Sequence, residues 1–165
     1  LAFEDLADPY GIEFWPEFKG RDGCRTPMVW QSHVHQGGFS VANRTWLPVP
    51  AQHLAHAVDQ QENVANSILS FYRAMLRFRK EHPVLATGGI ELVEGVPPNV
   101  LAFIRRHGDN AFFCAFNMGV EPVDMEIAQE FDLTEAGAPG SDAMLDGNRL
   151  SFGPFGSYIG RIIRG

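Results

Sequence analysis

From Ile90 onward, apolar residues recur at every second position in short segments, with turn-forming residues between them. Side chains alternate faces along a strand, so this period admits a half-buried β-sheet and excludes an amphipathic helix. The segments are Ile90–Glu94, Val100–Arg105, Ala111–Asn117, Val123–Ile127 and Ser157–Ile163. Between them stand Pro97-Pro98-Asn99, His107-Gly108-Asp109-Asn110, Asn117-Met118-Gly119 and Asp146-Gly147-Asn148. Gly108–Asn110 joins two strong strands and predicts a hairpin. In Val123–Ile127, Val123, Met125 and Ile127 alternate with Asp124 and Glu126, which predicts one wet face. Ala111–Phe116 is apolar on both faces and predicts a central strand. Residues 128–148 are small, acidic and Gly/Pro-containing, and predict a loop with room for one short strand. Short strands at this spacing predict a small antiparallel sandwich.

Upstream the pattern changes twice. Residues 59–82 predict a helix, with Ser67 as an N-cap and Ile68, Leu69, Tyr72, Met75 and Leu76 on one face. Arg73, Arg77, Arg79 and Lys80 gather toward its C-terminus, where they complement the helix dipole, and His82-Pro83 ends it. Residues 1–58 hold all three tryptophans and show no sustained period, and Asp8-Pro9, Gly20, Gly23 and Gly37-Gly38 punctuate them. A loop region this long is usually functional or packed on something else. The chain starts at Leu1 within such a loop, and it is expected to be a piece of something longer.

Thirteen basic against twenty acidic residues give a net charge of −7 over 165 residues. That balance argues against a nucleic-acid binder, which would present a basic stripe to phosphates. No apolar run approaches the roughly 18 residues of a membrane span, so no membrane partner is expected. Cys24 and Cys114 lack metal-ligand spacing and are expected to be free, partly buried thiols. They do not fix a redox compartment.

The densest chemistry lies in Gly20-Arg21-Asp22-Gly23-Cys24-Arg25-Thr26-Pro27-Met28-Val29-Trp30. Arginine forks suit paired sugar hydroxyls, and an indole face suits the apolar side of a pyranose. The other reading is an Arg–Asp pair that holds a loop, with Trp30 as a buried hydrophobe. His33-x-His35 lacks a third metal ligand nearby, as do His53 and His56, and no metal is expected. Glu4, Asp5 and Asp8 read as an acidic loop face rather than an acid/base pair. No nucleotide or cofactor fingerprint is present, and no cofactor is expected.

Residues 3–30 carry a specific resemblance. Phe3-Glu4-Asp5-Leu6, Asp8-Pro9-Tyr10-Gly11, Phe14-Trp15-Pro16 and Lys19-Gly20-Arg21-Asp22-Gly23-Cys24-Arg25-Thr26-Pro27-Met28-Val29-Trp30 resemble the α-glucosidases of glycoside hydrolase family 13, in the α-amylase superfamily. So do Gly38-Phe39-Ser40, Trp46-Leu47-Pro48-Val49, the helix around Asn66–Lys80 and the turn Phe152–Gly156. The resemblance implies the C-terminal portion of such an enzyme. The expected fold is mainly β with a helical and loop N-terminal part. Residues 1–58 would be the active-site loop after the eighth strand of a truncated (β/α)8 barrel. Residues 59–87 would be its last helix and linker, and 88–165 a C-terminal antiparallel β-sandwich.

Family chemistry is retaining hydrolysis of a terminal α-linked glucose from maltose-type oligosaccharides or sucrose, through an Asp nucleophile, a Glu acid/base and a further Asp. Their motifs are not in this chain, so no catalytic residue is carried over and the chain alone is expected to be inactive. The resemblance transfers Arg25, which in the family closes the pocket around the non-reducing glucose. Arg21 and Asp22 are the next candidates, as supports or loop-ordering groups. Gln31 and the His33–Gln36 stretch depart from the family pattern, which bears on the pocket rim and aglycone preference. The alternatives are a stand-alone carbohydrate-binding module and a transglycosylating or isomerising relative, such as a sucrose isomerase or trehalose synthase. In the module, strand aromatics would be exposed on one face, but Phe103, Phe112, Phe113 and Phe116 read as core. With a barrel absent, the helix would keep an open apolar face, and a homodimer through that face is expected.

Overall fold

The computed structural model describes residues 1–164, which divide into two compact units, Leu1–Ser70 and the chain from Phe71 onward. The first is built from short elements: α1 (Pro9–Glu13), α2 (Ala51–Leu54) and α3 (Val58–Gln61), with 3-10 turns at Phe3–Asp5 and Asp22–Cys24. Its buried apolar residues include Val29, Leu47 and Ala57. The second holds α5 (Val84–Thr87) and eight strands: β1 (Gly89–Leu92), β2 (Val100–His107), β3 (Asn110–Asn117), β4 (Val123–Glu126), β5 (Asp132–Glu135), β6 (Met144–Asp146), β7 (Arg149–Phe152) and β8 (Ser157–Arg164). Helix α4 (Ile68–Glu81) runs across the division.

The strands form two sheets, ordered β1-β2-β3-β8-β5 and β4-β7-β6, with every pair antiparallel. β3 lies in the middle of the larger sheet, as its two apolar faces require. One core joins both sheets. Val100, Ile104, Phe113 and Ala115 of the larger sheet share it with Met125, Leu150 and Phe152 of the smaller. The β2–β3 hairpin turns on Gly108, whose φ of 57° is a left-handed conformation that glycine adopts without Cβ strain. Asn117 is buried and fully used. Its amide donates to the carbonyls of Glu121 and Gly153, and its Oδ1 accepts the Gly119 N–H.

Three expectations need correction. The single short strand allowed within 128–148 is two, β5 and β6, and β7 follows directly after them. These strands carry only one or two apolar residues each, set among glycines, a proline and acidic residues, so no alternation stands out. The turn signal Asp146-Gly147-Asn148 is in fact the β6–β7 hairpin. The helix expected over 59–82 is also two, α3 and α4. The Ser67 hydroxyl accepts the Ser70 N–H and the Gln61 side chain accepts the Leu69 N–H, so side chains replace the backbone acceptors of a continuous helix.

The third concerns the packed face of α4. Met75 and Phe78 pack in a cluster with Val84, Phe112, Cys114 and Ile159, and His82 stands edge-on to Phe78 at 4.5 Å. The Phe71 ring lies against Gly140, where an added Cβ would sit 2.8 Å from it. Positions 71, 75, 78 and 82 form one helical stripe. Of the residues expected on one apolar face, Met75 packs here with Phe71 and Phe78, whereas Ile68, Tyr72 and Leu76 are 71%, 62% and 58% exposed and form the open apolar face expected of this helix. Phe112 and Phe113 are core, and Phe103 and Phe116 stack on each other at 6.0 Å, half-buried against the α4 cluster. Among the described residues, no helix is long and apolar enough to cross a membrane.

Leu150 has no exposed surface and joins the two sheets. Leu150→Ala is expected to cost about 2–5 kcal/mol, against less than about 1 kcal/mol for the half-exposed Leu101→Ala, read from denaturant unfolding. Cys24 is exposed, whereas burial pushes the Cys114 thiol up to about 11. A neutral-pH thiol reagent should therefore modify Cys24 in the folded chain and reach Cys114 only after unfolding.

Candidate functional site

The motif-bearing stretch of the first unit folds around two buried aspartates. Asp8 caps α1 by accepting the Tyr10 N–H, and Pro9 at the first helical position suits that start. The same carboxylate accepts the Arg21 backbone N–H at 2.9 Å and its Nε at 3.0 Å, with Nη2 at 3.4 Å. Asp22, the first residue of the next turn, returns the contact. Its Oδ2 accepts the N–H groups of Ala7 and Asp8 at 2.7 and 2.8 Å. Asp8 and Asp22 are 3% and 1% exposed, and each accepts N–H groups from the segment that carries the other. Buried carboxylates need such donors.

Glycines make this closeness possible. A Cβ on Gly20 would fall 2.8 Å from the Gly11 Cα, and one on Gly11 would fall 2.9 Å from the Lys19 carbonyl oxygen. Gly20 also has a φ of 68°, which favours glycine.

Arg25 follows directly. Its N–H donates to the Asp22 carbonyl at 2.9 Å. Beyond it, the Thr26 hydroxyl lies 3.4 Å from His53 Nδ1, and Pro27 is buried. The backbone on both sides is fixed while the side chain is exposed, and among the described residues its guanidinium has no hydrogen bond or ion pair. The structure thus separates the three candidates. Arg21 is committed to Asp8, Asp22 is buried behind the loop, and Arg25 is open.

Trp30 is half exposed, so the expectation of a buried indole is not met. Its backbone is fixed on two sides. The Trp30 N–H donates to Gly37, while the carbonyls of Val29 and Trp30 accept the first N–H groups of α3. Gly37 packs against Val29, where a Cβ would lie 2.9 Å from Cγ1. A cavity of about 520 Å3 opens nearby, lined by Asp5, His33, His35, Arg44, Thr45 and Leu54 among others. His35 Nε2 pairs with the Ala42 carbonyl, and no group of three or more His, Cys, Asp or Glu among the described residues could hold a metal ion.

Asp8 is the residue that sequence reasoning missed, because Glu4, Asp5 and Asp8 read together as an acidic face. The signals that set it apart are the Pro9 after it and the two glycines that later meet beside it.

Residues 3–88 match the alpha-amylase family, described as alpha amylase, catalytic domain. A probable alpha-glucosidase of Rhizobium meliloti is 53% identical over 127 residues, 77% of this chain and 22% of the relative. The Mycobacterium tuberculosis trehalose synthase/amylase TreS is 36% identical over 66% of this chain and 20% of its own length. The chain thus spans about a fifth of the curated relatives it matches. Among solved structures, an alpha-glucosyl transfer enzyme, XgtA, superposes with a TM-score of 0.88 at 39% identity, over 98% of this chain and 30% of that one. An isomaltulose synthase from Erwinia rhapontici gives 0.79 at 20% identity, over 98% and 32%, a likeness of fold alone.

Hydrogen bonds from the Arg21 side chain, then from its backbone N–H, hold the Asp8 carboxyl down to about 2. A carboxyl depressed on folding stabilises the native state above its unfolded value, and that contribution disappears as pH falls through the folded one. The thermal midpoint should therefore fall between about pH 4 and about pH 2. Asp8→Asn should be less stable at neutral pH and show a flatter dependence in that window.

Proposed function

This chain belongs to the alpha-amylase family, and on that footing we propose that it forms the C-terminal part of an α-glucosidase that removes terminal glucose from small α-glucosides by a retaining mechanism. The observation that carries the reading is Arg25: an exposed, unpaired guanidinium on a fixed backbone, within the stretch that matches the family. In the whole enzyme it donates a planar fork to the hydroxyls of the terminal glucose, and Trp30 offers an apolar face at the rim. A fixed fork at the blind end of a pocket admits one sugar unit and makes cleavage exo-acting. The three carboxylates lie in barrel residues upstream. The two-sheet unit is the sandwich that follows the barrel, and the exposed stripe of Ile68, Tyr72 and Leu76 is the barrel side of its last helix. In the isolated chain a second copy covers that stripe.

A glucosyl-transferring or isomerising enzyme is the second reading, supported by the 39% identity to an alpha-glucosyl transfer enzyme and the 36% identity to a trehalose synthase. Both chemistries begin with the same glucose in the same pocket and differ in what accepts it. The product spectrum from sucrose and maltose separates them.

Purified alone, the 165-residue chain should release no glucose from a chromogenic α-glucoside above a matched blank. In the full-length enzyme, Arg25→Ala should lower kcat/KM by about 100-fold or more, since hydrogen bonds to charged groups contribute about 1.5–3 kcal/mol each and a fork makes two. Release of glucose by the isolated chain contradicts the assignment of the carboxylates to the barrel. An unchanged kcat/KM in Arg25→Ala contradicts the pocket.

A further inference from the structure

The reading of Arg25 leaves open what holds a long cationic side chain where a sugar must find it. Exposed arginine loses considerable rotamer freedom when a ligand immobilises it, so a fixed backbone is the part of that cost the protein can settle beforehand. The geometry here does so through Asp22. Its carboxylate accepts two successive N–H groups, Ala7 and Asp8, while its carbonyl accepts the N–H of Arg25. One residue therefore joins the start of the loop to the arginine three positions on. Asp8 closes the circuit from the other side by taking the backbone N–H and guanidinium of Arg21, the neighbour of Asp22. The Nε and Nη2 of Arg21 are thereby engaged by Asp8.

We propose that Asp22 is a positioning residue for substrate recognition, acting through Arg25, and that the Asp8–Arg21 pair keeps Asp22 in place. The inference rests on the reading of Arg25 as the ligand of the terminal glucose, and it goes beyond that reading by assigning a function to a side chain that never meets the sugar. Buried aspartates that only stabilise a loop would change folding and leave the arginine's contribution intact. A positioning aspartate makes the two effects one.

A double-mutant cycle in the full-length enzyme tests this, with kcat/KM and the inhibition constant of glucose as readouts and thermal unfolding in parallel. Asp22→Ala in the wild-type background should lower kcat/KM by about 100-fold, the scale of a misplacement of about 1 Å, and weaken glucose inhibition. In the Arg25→Ala background the same change should cost less than about twofold, because the group it positions is gone. Asp22→Asn keeps an oxygen that can accept both N–H groups and should restore activity to within about fivefold of wild type. Asp22→Ser cannot bridge both amides and replaces Asp22→Ala in the cycle if that variant does not fold.

Equal losses from Asp22→Ala with and without Arg25 overturn the proposal, as does an Asp22→Asn variant no better than Asp22→Ala. In both outcomes the Arg25 reading survives as long as Arg25→Ala alone is impaired. If Arg25→Ala alone is unimpaired, the reading and the proposal fall together.

Discussion

A carboxylate sealed from water must be supplied with donors, and the motif-bearing loop is organised around two, both supplied by backbone N–H groups. Asp8 and Asp22 are 14 residues apart in sequence, yet each accepts N–H groups from the segment that bears its counterpart. The arrangement leaves little freedom. The two segments must lie in register, the Gly11 and Gly20 backbones must touch, and Arg21 must reach back to Asp8. Arg25 and Trp30 are then exposed on a backbone held by hydrogen bonds. What this loop shows to solvent depends on groups that solvent does not reach.

Much of this was legible in the sequence, for reasons that differ by region. β2, β3 and β8 run eight residues each and are rich in apolar residues between turn signals, so length and composition identified them. β5, β6 and β7 carry only one or two apolar residues each among glycines, proline and acidic residues, and they exist because a paired neighbour supplies hydrogen bonds. Ser67 was readable as a cap because capping is local chemistry. The packed face of α4 was not, since the helix carries two apolar stripes and sequence cannot say which one meets the sheet. In the loop, the family resemblance picked out Arg25 from its immediate neighbours. The Asp8 partnership depends on chain folding over 13 residues and had no local signature beyond the proline and glycines.

The two units handle their polar groups differently. In the two-sheet unit the core is almost wholly apolar, and the buried Asn117 is satisfied by backbone groups of two turns, at Gly119–Glu121 and at Gly153. One exception is the Tyr158 hydroxyl, which is buried with no hydrogen-bond partner among the described residues and sits where a Cβ on Gly160 would strike it. Burial, with the Glu135 carboxylate adding to it, pushes this phenol up to about 12, so it stays neutral. The loop unit has few buried apolar groups and relies on polar ties.

The contact between Gly11 and Gly20 bears on how relatives of this chain can diverge. The stretch from Ile12 to Lys19 is thereby closed at its base, and Phe14 and Phe18 stand half exposed on it. Side chains at those two positions can vary between relatives without disturbing the glycine contact, whereas any side chain at position 11 or 20 pries it open.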